Sequence, residues 1–450
     1  MLNYNSEEIQ SSITRFEKML KTNLIYFFDA QEFEDIIIHY LGYGEQQLAK
    51  KALKMGLEQH PSSLELMLLQ SEVLIMDEKF EAALELLEYV EKLTPNDEEI
   101  ALQKASIASK KGEHEKAISC LHRALELTED PPEIWNLLGM EHLLAEEYGK
   151  AVYFFKNCIE ENPEDYPSLY NLLFCYEQLD QDEIAIEVLN HILENDPYCE
   201  VAWHHLGKLY YKSDKIKEAL TAFDFAIISD DTFSGSYIEK GKILEQLGRI
   251  NEAIEHYEIV LNTEEPNGFI LHSIGNCHQK LGNNSLALQF YLKSVKTEPG
   301  NENGWEKLID FYLTVNQEKK AKKCLDNALD INSDSVLLWK KSAEFNQKLE
   351  KPNKAIEAYN QIIDLGYYEL DIILKLIDLH LKQSQWKVAF ELAKEANAEF
   401  PETLAIQLRL GGCYAQLGNI KKAQFYLEWE TLDKEQKVEL AQLFPKLNLE

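Results

Sequence analysis

The chain has 450 residues, 45% of them hydrophobic, which is more than one compact core accommodates and points to several domains or a repeat array. Its formal net charge is −33, and residues 1–200 carry 15 Lys and Arg against 41 Asp and Glu. A field of that sign turns away phosphate backbones and anionic lipid, so nucleic acid and membrane surfaces are not expected partners of that half.

The amino-terminal segment contains Glu7 and Glu8 and no apolar core, so no secretory signal is expected. Apolar runs such as residues 24–28 are too short for a membrane span. The seven cysteines are odd in number and never spaced as CxxC. They read as free, mostly buried thiols in a reducing compartment, and a cytoplasmic location is expected.

Residues 1–29 share no period with the rest of the chain. Asn5 with Glu8 three residues on resembles a capping box, opening a capping helix to about Lys21. From residue 30 a period takes over. Stepping by 34 from Ala49 lands on Ala83, Ala117, Ala151, Ala185, Ala219, Ala253, Ala287, Ala321, Ala355, Ala389 and Ala423, twelve alanines with no insertion. The copy that begins at Pro132 shows the pattern. Trp135, Leu138, Gly139 and His142 form one helical stripe, and Ala151, Phe155 and Cys158 form a second. Glu146 and Glu147 lie between them, and Pro163 ends the unit, as Pro61, Pro95, Pro197, Pro299 and Pro401 do elsewhere. Counting from Pro132 as position 1, small residues recur at position 8 (Gly139, Gly207, Gly241, Gly275, Gly411) and position 20, where two helices approach closely. The copies end near residue 431, and 432–450 read as a polar carboxy-terminal capping helix before Pro445.

The copy with Trp203, Leu206, Gly207, Tyr210, Ala219, Phe223 and Ala226 resembles the tetratricopeptide repeat closely. Trp305, Leu308, Tyr312, Ala321 and Ala328 in one copy, and Leu410, Gly411, Tyr414 and Ala423 in another, match it in part. Phe33, Ile36, Tyr40, Ala49 and Pro61 form a degenerate first copy. The resemblance implies an all-α fold, a right-handed superhelical solenoid of antiparallel helix pairs, with twelve tandem repeats over residues 30–431. It also implies that positions 2, 5, 9, 12 and 13 line a concave groove that holds an extended peptide or a helix.

That stripe changes along the chain. Glu65, Glu99 and Glu133, with Glu72 nearby, form an acidic ladder. Met140, Leu143, Leu144, Tyr170 and Phe174 come next, then His204, Lys208, Tyr211, Lys242, His272 and Asn276. Lys208 and Lys242 hold the same position in successive copies and are expected side by side. One reading seats an acidic side chain or carboxylate near Lys208, Lys242 and Asn276, with an apolar segment on Tyr170 and Phe174. The plainer reading is a solvated inner face whose lysines are neutralised by Glu239 or Glu245. The family's chaperone carboxylate clamp is not expected. His272 stands where it needs Lys, and Lys307 stands where it needs Asn.

No nucleotide, hydrolase or zinc-peptidase motif occurs. His204 and His205 are adjacent on a helix and diverge, so they form no metal pair. The expectation is a non-enzymatic scaffold or adaptor without cofactor, binding a protein or peptide in its groove. The alternative is an assembly chaperone or regulatory protein that holds a basic client through its acidic half. Salt distinguishes them in a capture experiment. Capture through the acidic half is expected to collapse before about 0.5 M salt, where the Debye length is only a few ångströms, whereas capture through Tyr170 and Phe174 persists.

Overall fold

The computed structural model describes residues 2–22, 26–263, 265, 267–401, 403–427 and 434–444, with side chains except at 2–9, 435 and 439. Among the described residues the fold is all-α, and it divides into two units, Met1–Lys215 and Ile216–Glu450. The first holds α1 (Leu2–Thr22), α2 (Ala30–Gly42), α3 (Gln46–Gln59), α4 (Leu64–Met76), α5 (Phe80–Leu93), α6 (Glu98–Lys110), α7 (His114–Leu127), α8 (Pro132–Leu144), α9 (Tyr148–Glu161), α10 (Tyr166–Gln178), α11 (Asp182–Asn195) and α12 (Glu200–Lys212). The second holds α13 (Ile216–Ser229), α14 (Ser234–Gln246), α15 (Ile250–Thr263), α16 (Gly268–Lys280), α17 (Asn284–Thr297), α18 (Glu302–Thr314), α19 (Glu318–Ile331), α20 (Val336–Lys348), α21 (Pro352–Asp364), α22 (Leu370–Lys382), α23 (Trp386–Glu399), α24 (Leu404–Gln416), α25 (Ile420–Tyr426) and α26 (Lys434–Leu443). From α2 to α25 the first helices start every 34 residues, and so do the second helices.

Three local devices set that spacing. Position 34, just before each first helix, caps it in many copies: Ser63, Asp97, Asp165, Asn267, Asn301 and Ser335 accept a backbone N–H from the first turn with their side chains. Asp29 does so within a full capping box with Glu32. Position 15 ends the first helix in the left-handed region, with φ between 52° and 84° in all twelve copies. The next N–H then reaches back to the carbonyl of position 11, as Glu147 does to His142 and Arg249 to Leu244 at 2.8 and 2.9 Å. At position 4, the indole N–H of Trp203, Trp305 and Trp339 donates to a carbonyl six residues upstream, at Pro197, Pro299 and Ser333, over 2.8–2.9 Å. In two of these ties the carbonyl belongs to a recurring Pro and in the third to Ser333.

Packing follows the small residues. All twelve register alanines are buried, none more than 4% exposed. A Cβ added at Gly139 would stand 2.6 Å from the Phe155 ring, at Gly241 2.6 Å from Tyr257, and at Gly275 2.9 Å from Tyr291. Position 8 therefore admits the large side chain of position 24 from the partner helix. The apolar interior is a succession of clusters rather than one core. One runs from Ile75 to Ile107, the next from Ala101 to Phe154, and others recur through the second unit. Such a chain draws its stability from neighbouring copies.

The ends differ in detail from the sequence reading. Helix α1 starts at Leu2, ahead of Asn5, and the side chains of Asn5 and Glu8 lie outside the described residues. Phe16 and Met19 bury against Phe33, Ile36 and Tyr40, and Arg15 pairs with Glu32 at 2.6 Å, so α1 covers α2. Helix α26 lies against α22 and α24, the first helices of the last two hairpins.

A non-glycine residue in the left-handed region costs about 1–2 kcal/mol, and seven copies hold Glu, Asp, Asn or Ser there. Glu146→Gly and Glu350→Gly are expected to raise stability by about 0.5–1 kcal/mol each. Gly248→Ala is expected to lower it by about 1 kcal/mol. Urea unfolding of the three variants checks both directions.

Candidate functional site

In the first unit, Tyr170 and Phe174 stand one turn apart on α10, and both are nearly half exposed. Tyr170 meets the His205 ring edge to face at 5.0 Å, and Tyr148 meets Phe174 at 6.2 Å. Between α10, α11 and α12 they wall a pocket of about 280 Å³, with Leu173, Lys208 and Lys212 among its lining. That is just below the range of about 300–1,000 Å³ found for drug-sized ligands, and suits a side chain or short peptide segment. Lys212 is held by Asp182 at 2.8 Å, whereas Lys208 is exposed and joins no ion pair among the described residues. Burial pushes the His205 imidazole down to about 3, with His204 and Lys208 adding repulsion, so it is a neutral wall at physiological pH. Met140, half-buried on α8, accepts a contact from the Asn171 amide at 3.3 Å. It continues the apolar strip one copy earlier.

The acidic ladder occupies the first helices nearer the amino terminus, where Glu65, Glu72, Glu99 and Glu133 are exposed. Glu65 is held low by a backbone N–H at its own helix start and by Ser63. Glu72 is raised, first by desolvation against the surrounding helices and then by Glu99. Glu34 is raised by desolvation, Asp35 and Glu65. Glu99 is thus close enough to repel Glu72, and Glu65 to repel Glu34.

In the second unit the remaining candidates are engaged. Lys242 lies 2.7 Å from Glu239 and over the Phe269 ring at 5.2 Å. Asn276 donates to Glu245, which also holds Lys280 at 2.8 Å. His272 is buried rather than lining an open face, with Phe269 edge-on at 5.2 Å; burial and then Lys307 lower its pKa. In the first unit, His204 and Tyr211 are half-buried on α12. His278, half-buried, stacks on Phe290 at 5.6 Å.

A set of ties between copies was missed. Position 6 of one copy bonds position 9 of the copy before. Arg409 grips Asp378 through two bonds of 2.6 and 2.8 Å, and Lys341 reaches Asp310 at 3.1 Å. The available signal is a basic residue 31 positions after an acidic one, repeated at Lys341, Lys375 and Arg409.

All seven cysteines are free, and burial raises Cys175 to about 11 and Cys413 to about 12, which leaves them as inert thiols. Among the described residues no His, Cys, Asp or Glu group is arranged to hold a metal, and no helix is long and apolar enough to cross a membrane.

Two tetratricopeptide repeat family models match this chain. One covers residues 74–140, 142–206 and 380–428, and the other covers 234–263 and 270–301; together they span more than half of its length. The chain belongs to the tetratricopeptide repeat family. It is 28% identical over 130 residues to anaphase-promoting complex subunit 3 of Schizosaccharomyces pombe, a match covering 29% of this chain and 20% of that protein. It is 23% identical over 222 residues to the tetratricopeptide repeat-containing protein trd-1 of Caenorhabditis elegans, covering 49% of this chain and 28% of that one. The match thus spans between a fifth and three-tenths of these relatives' length. Among solved structures, the anaphase-promoting complex assembly Cut9-Hcn1 superposes with a TM-score of 0.38 at 15% identity, covering 91% of this chain and 94% of that one. A superposition that loose carries no argument about function.

Because its folded-state pKa is raised, Glu72 favours folding only below its ordinary value of 4.5 and opposes it above. Glu72→Gln is therefore expected to raise the melting temperature at pH 7.5, with the gain vanishing by pH 4. Thermal unfolding across that range checks the sign.

Proposed function

We propose that this chain is a non-catalytic protein–protein interaction scaffold, acting in the cytoplasm, that takes an extended or helical segment of its partner on the first unit. The observation that carries the reading is the pocket of Tyr170, Phe174 and Lys208. Two large aromatic faces stay open beside a cation that has no carboxylate of its own among the described residues. An apolar side chain of the partner fills the aromatic wall, where desolvation supplies affinity. An acidic group of the partner meets Lys208 and fixes the register, as charged rims do. His205 stays neutral and adds no competing charge.

Family membership supports a binding role, as does a relative named as a subunit of a complex. Lys242 and Asn276, in the second unit, are each already committed to a glutamate.

A second reading rests on the acidic ladder. Carboxylates close enough to help raise Glu72 and Glu34 gain from any cation that settles between them. A basic client held along α4, α6 and α8 would use that gain.

Affinity capture from the native cell with Phe174→Ala and Lys208→Glu chains, followed by mass spectrometry, tests the first reading. It expects Phe174→Ala to lose the main partner at every salt concentration and Lys208→Glu to lose it at low salt. The same proteins recovered by both variants as by the unaltered chain would contradict it. Loss on Glu72→Lys and Glu99→Lys instead would favour the second reading.

A further inference from the structure

The stripe of the last two hairpins is occupied by a segment of the chain itself. Helix α26 lies against α22 and α24, and both present their position 5, 9 and 12 side chains on one face. Leu408 at position 5 and Leu381 at position 12 are 2% and 1% exposed. In other copies position 5 is polar at Glu306 and Lys340 and apolar at Leu68, Leu102 and Ile238, and position 12 is polar at Gln279 and Gln347 and apolar at Ile75, Leu143 and Leu313. Leu381, Leu408 and Leu410 bury in one cluster with Leu440, Leu443 and Phe444.

Position 9 of the last copy is Gly412, the one glycine among twelve residues at that position. A Cβ there would run into the Phe444 ring, which is fully buried and stacks on Trp386 at 5.9 Å. The site is therefore cut to an aromatic side chain. Its occupant is a ten-residue helix, too short to hold its fold in water unaided. Leu440, Leu443 and Phe444 are spaced three and one apart, the i, i+3, i+4 anchors by which an amphipathic helix enters a groove. A thirteenth copy in register would start its first helix at residue 438, whereas α26 starts at 434.

We propose that α26 is a ligand seated in cis. It fills a helix-binding site formed by Leu381, Leu408, Gly412 and Trp386, and it yields to a partner helix carrying the same Leu-x-x-Leu-Phe spacing. This site stands apart from the Tyr170 pocket and does not rest on that reading. The intact groove then holds its own competitor, and the partner's effective affinity is set by how readily α26 lets go.

The test uses the full-length chain and a fluorescein-labelled peptide with the sequence of residues 433–445. Fluorescence anisotropy is expected to show the peptide binding at least ten times more tightly to the Leu440→Ala, Phe444→Ala double variant than to the unaltered chain. Adding Gly412→Leu to that variant is expected to abolish uptake. A double variant that keeps its helical circular dichroism yet binds no more tightly would overturn the proposal, as would uptake that survives Gly412→Leu. Hydrogen exchange on the unaltered chain provides a readout independent of any variant. Amides of residues 434–444 are expected to exchange at least tenfold faster than those of α22 and α24, and equal protection would overturn an exchangeable occupant. A concentration-dependent dimer in sedimentation would overturn seating in cis.

Discussion

The close approach of two helices at position 8 is the contact on which the rest depends. Where that residue is glycine, the facing position 24 is large: Phe155 over Gly139, Tyr257 over Gly241, Tyr291 over Gly275 and Leu427 over Gly411. Where position 8 grows to Ile377, position 24 shrinks to Ala393, and both lie buried in the same cluster. Ser71, Ala105 and Ala343 pair in register with Leu87, Leu121 and Tyr359. In these copies the sum of the two volumes is nearly held while each varies, as close packing demands, whereas Ile37 with Leu53, Leu173 with Leu189 and Ile309 with Leu325 are large at both positions. Since that sum fixes the distance between the two helices of a hairpin, it fixes the face offered to the next hairpin. The register alanines act one turn into the second helix, where a larger side chain would hold the helices apart.

Most of this frame was legible in the sequence because its parts repeat. Ala49 and its eleven successors gave the period, and prolines marked the ends of six copies. Other parts were hidden because their chemistry is not carried by one residue type. Position 15 is left-handed in every copy, yet only five copies spell it with glycine; Glu78, Glu146 and Glu350 read as ordinary solvated acids. The ties between copies were hidden for a similar reason. They are Arg409 to Asp378 in one place and Asn171 to Met140 in another, and they join residues 31 apart rather than 34. The placement of α26 was illegible because it hangs on Gly412, a single departure from the pattern.

The candidate site was partly visible. Spacing put Tyr170, Phe174 and Lys208 on one stripe, and they do line one pocket. Spacing alone did not reveal that Lys242 has Glu239, or that Asn276 has Glu245, because such pairing depends on rotamers and on neighbouring copies. A repeat frame makes this division natural. Positions 4, 7, 8, 11, 20 and 24 are committed to packing, and positions 2, 5, 9, 12 and 13 are released to vary. The variation here runs from repelling carboxylates through open aromatics to paired cations. Because each cluster is small and leans on its neighbours, such an array can open locally without losing the whole fold.

The central claim is that positions 8 and 24 act as one unit of volume within each hairpin. A double-mutant cycle at Ile309 and Leu325, which share a buried cluster across α18 and α19, tests it most directly by building the Gly–Tyr arrangement of the preceding copy. Ile309→Gly alone is predicted to destabilise by about 2–5 kcal/mol as a cavity opens, and Leu325→Tyr alone by about 1–3 kcal/mol as the contact overpacks. The double variant in urea unfolding is predicted to recover at least about 1 kcal/mol of their sum through coupling. Two losses that simply add would contradict the account.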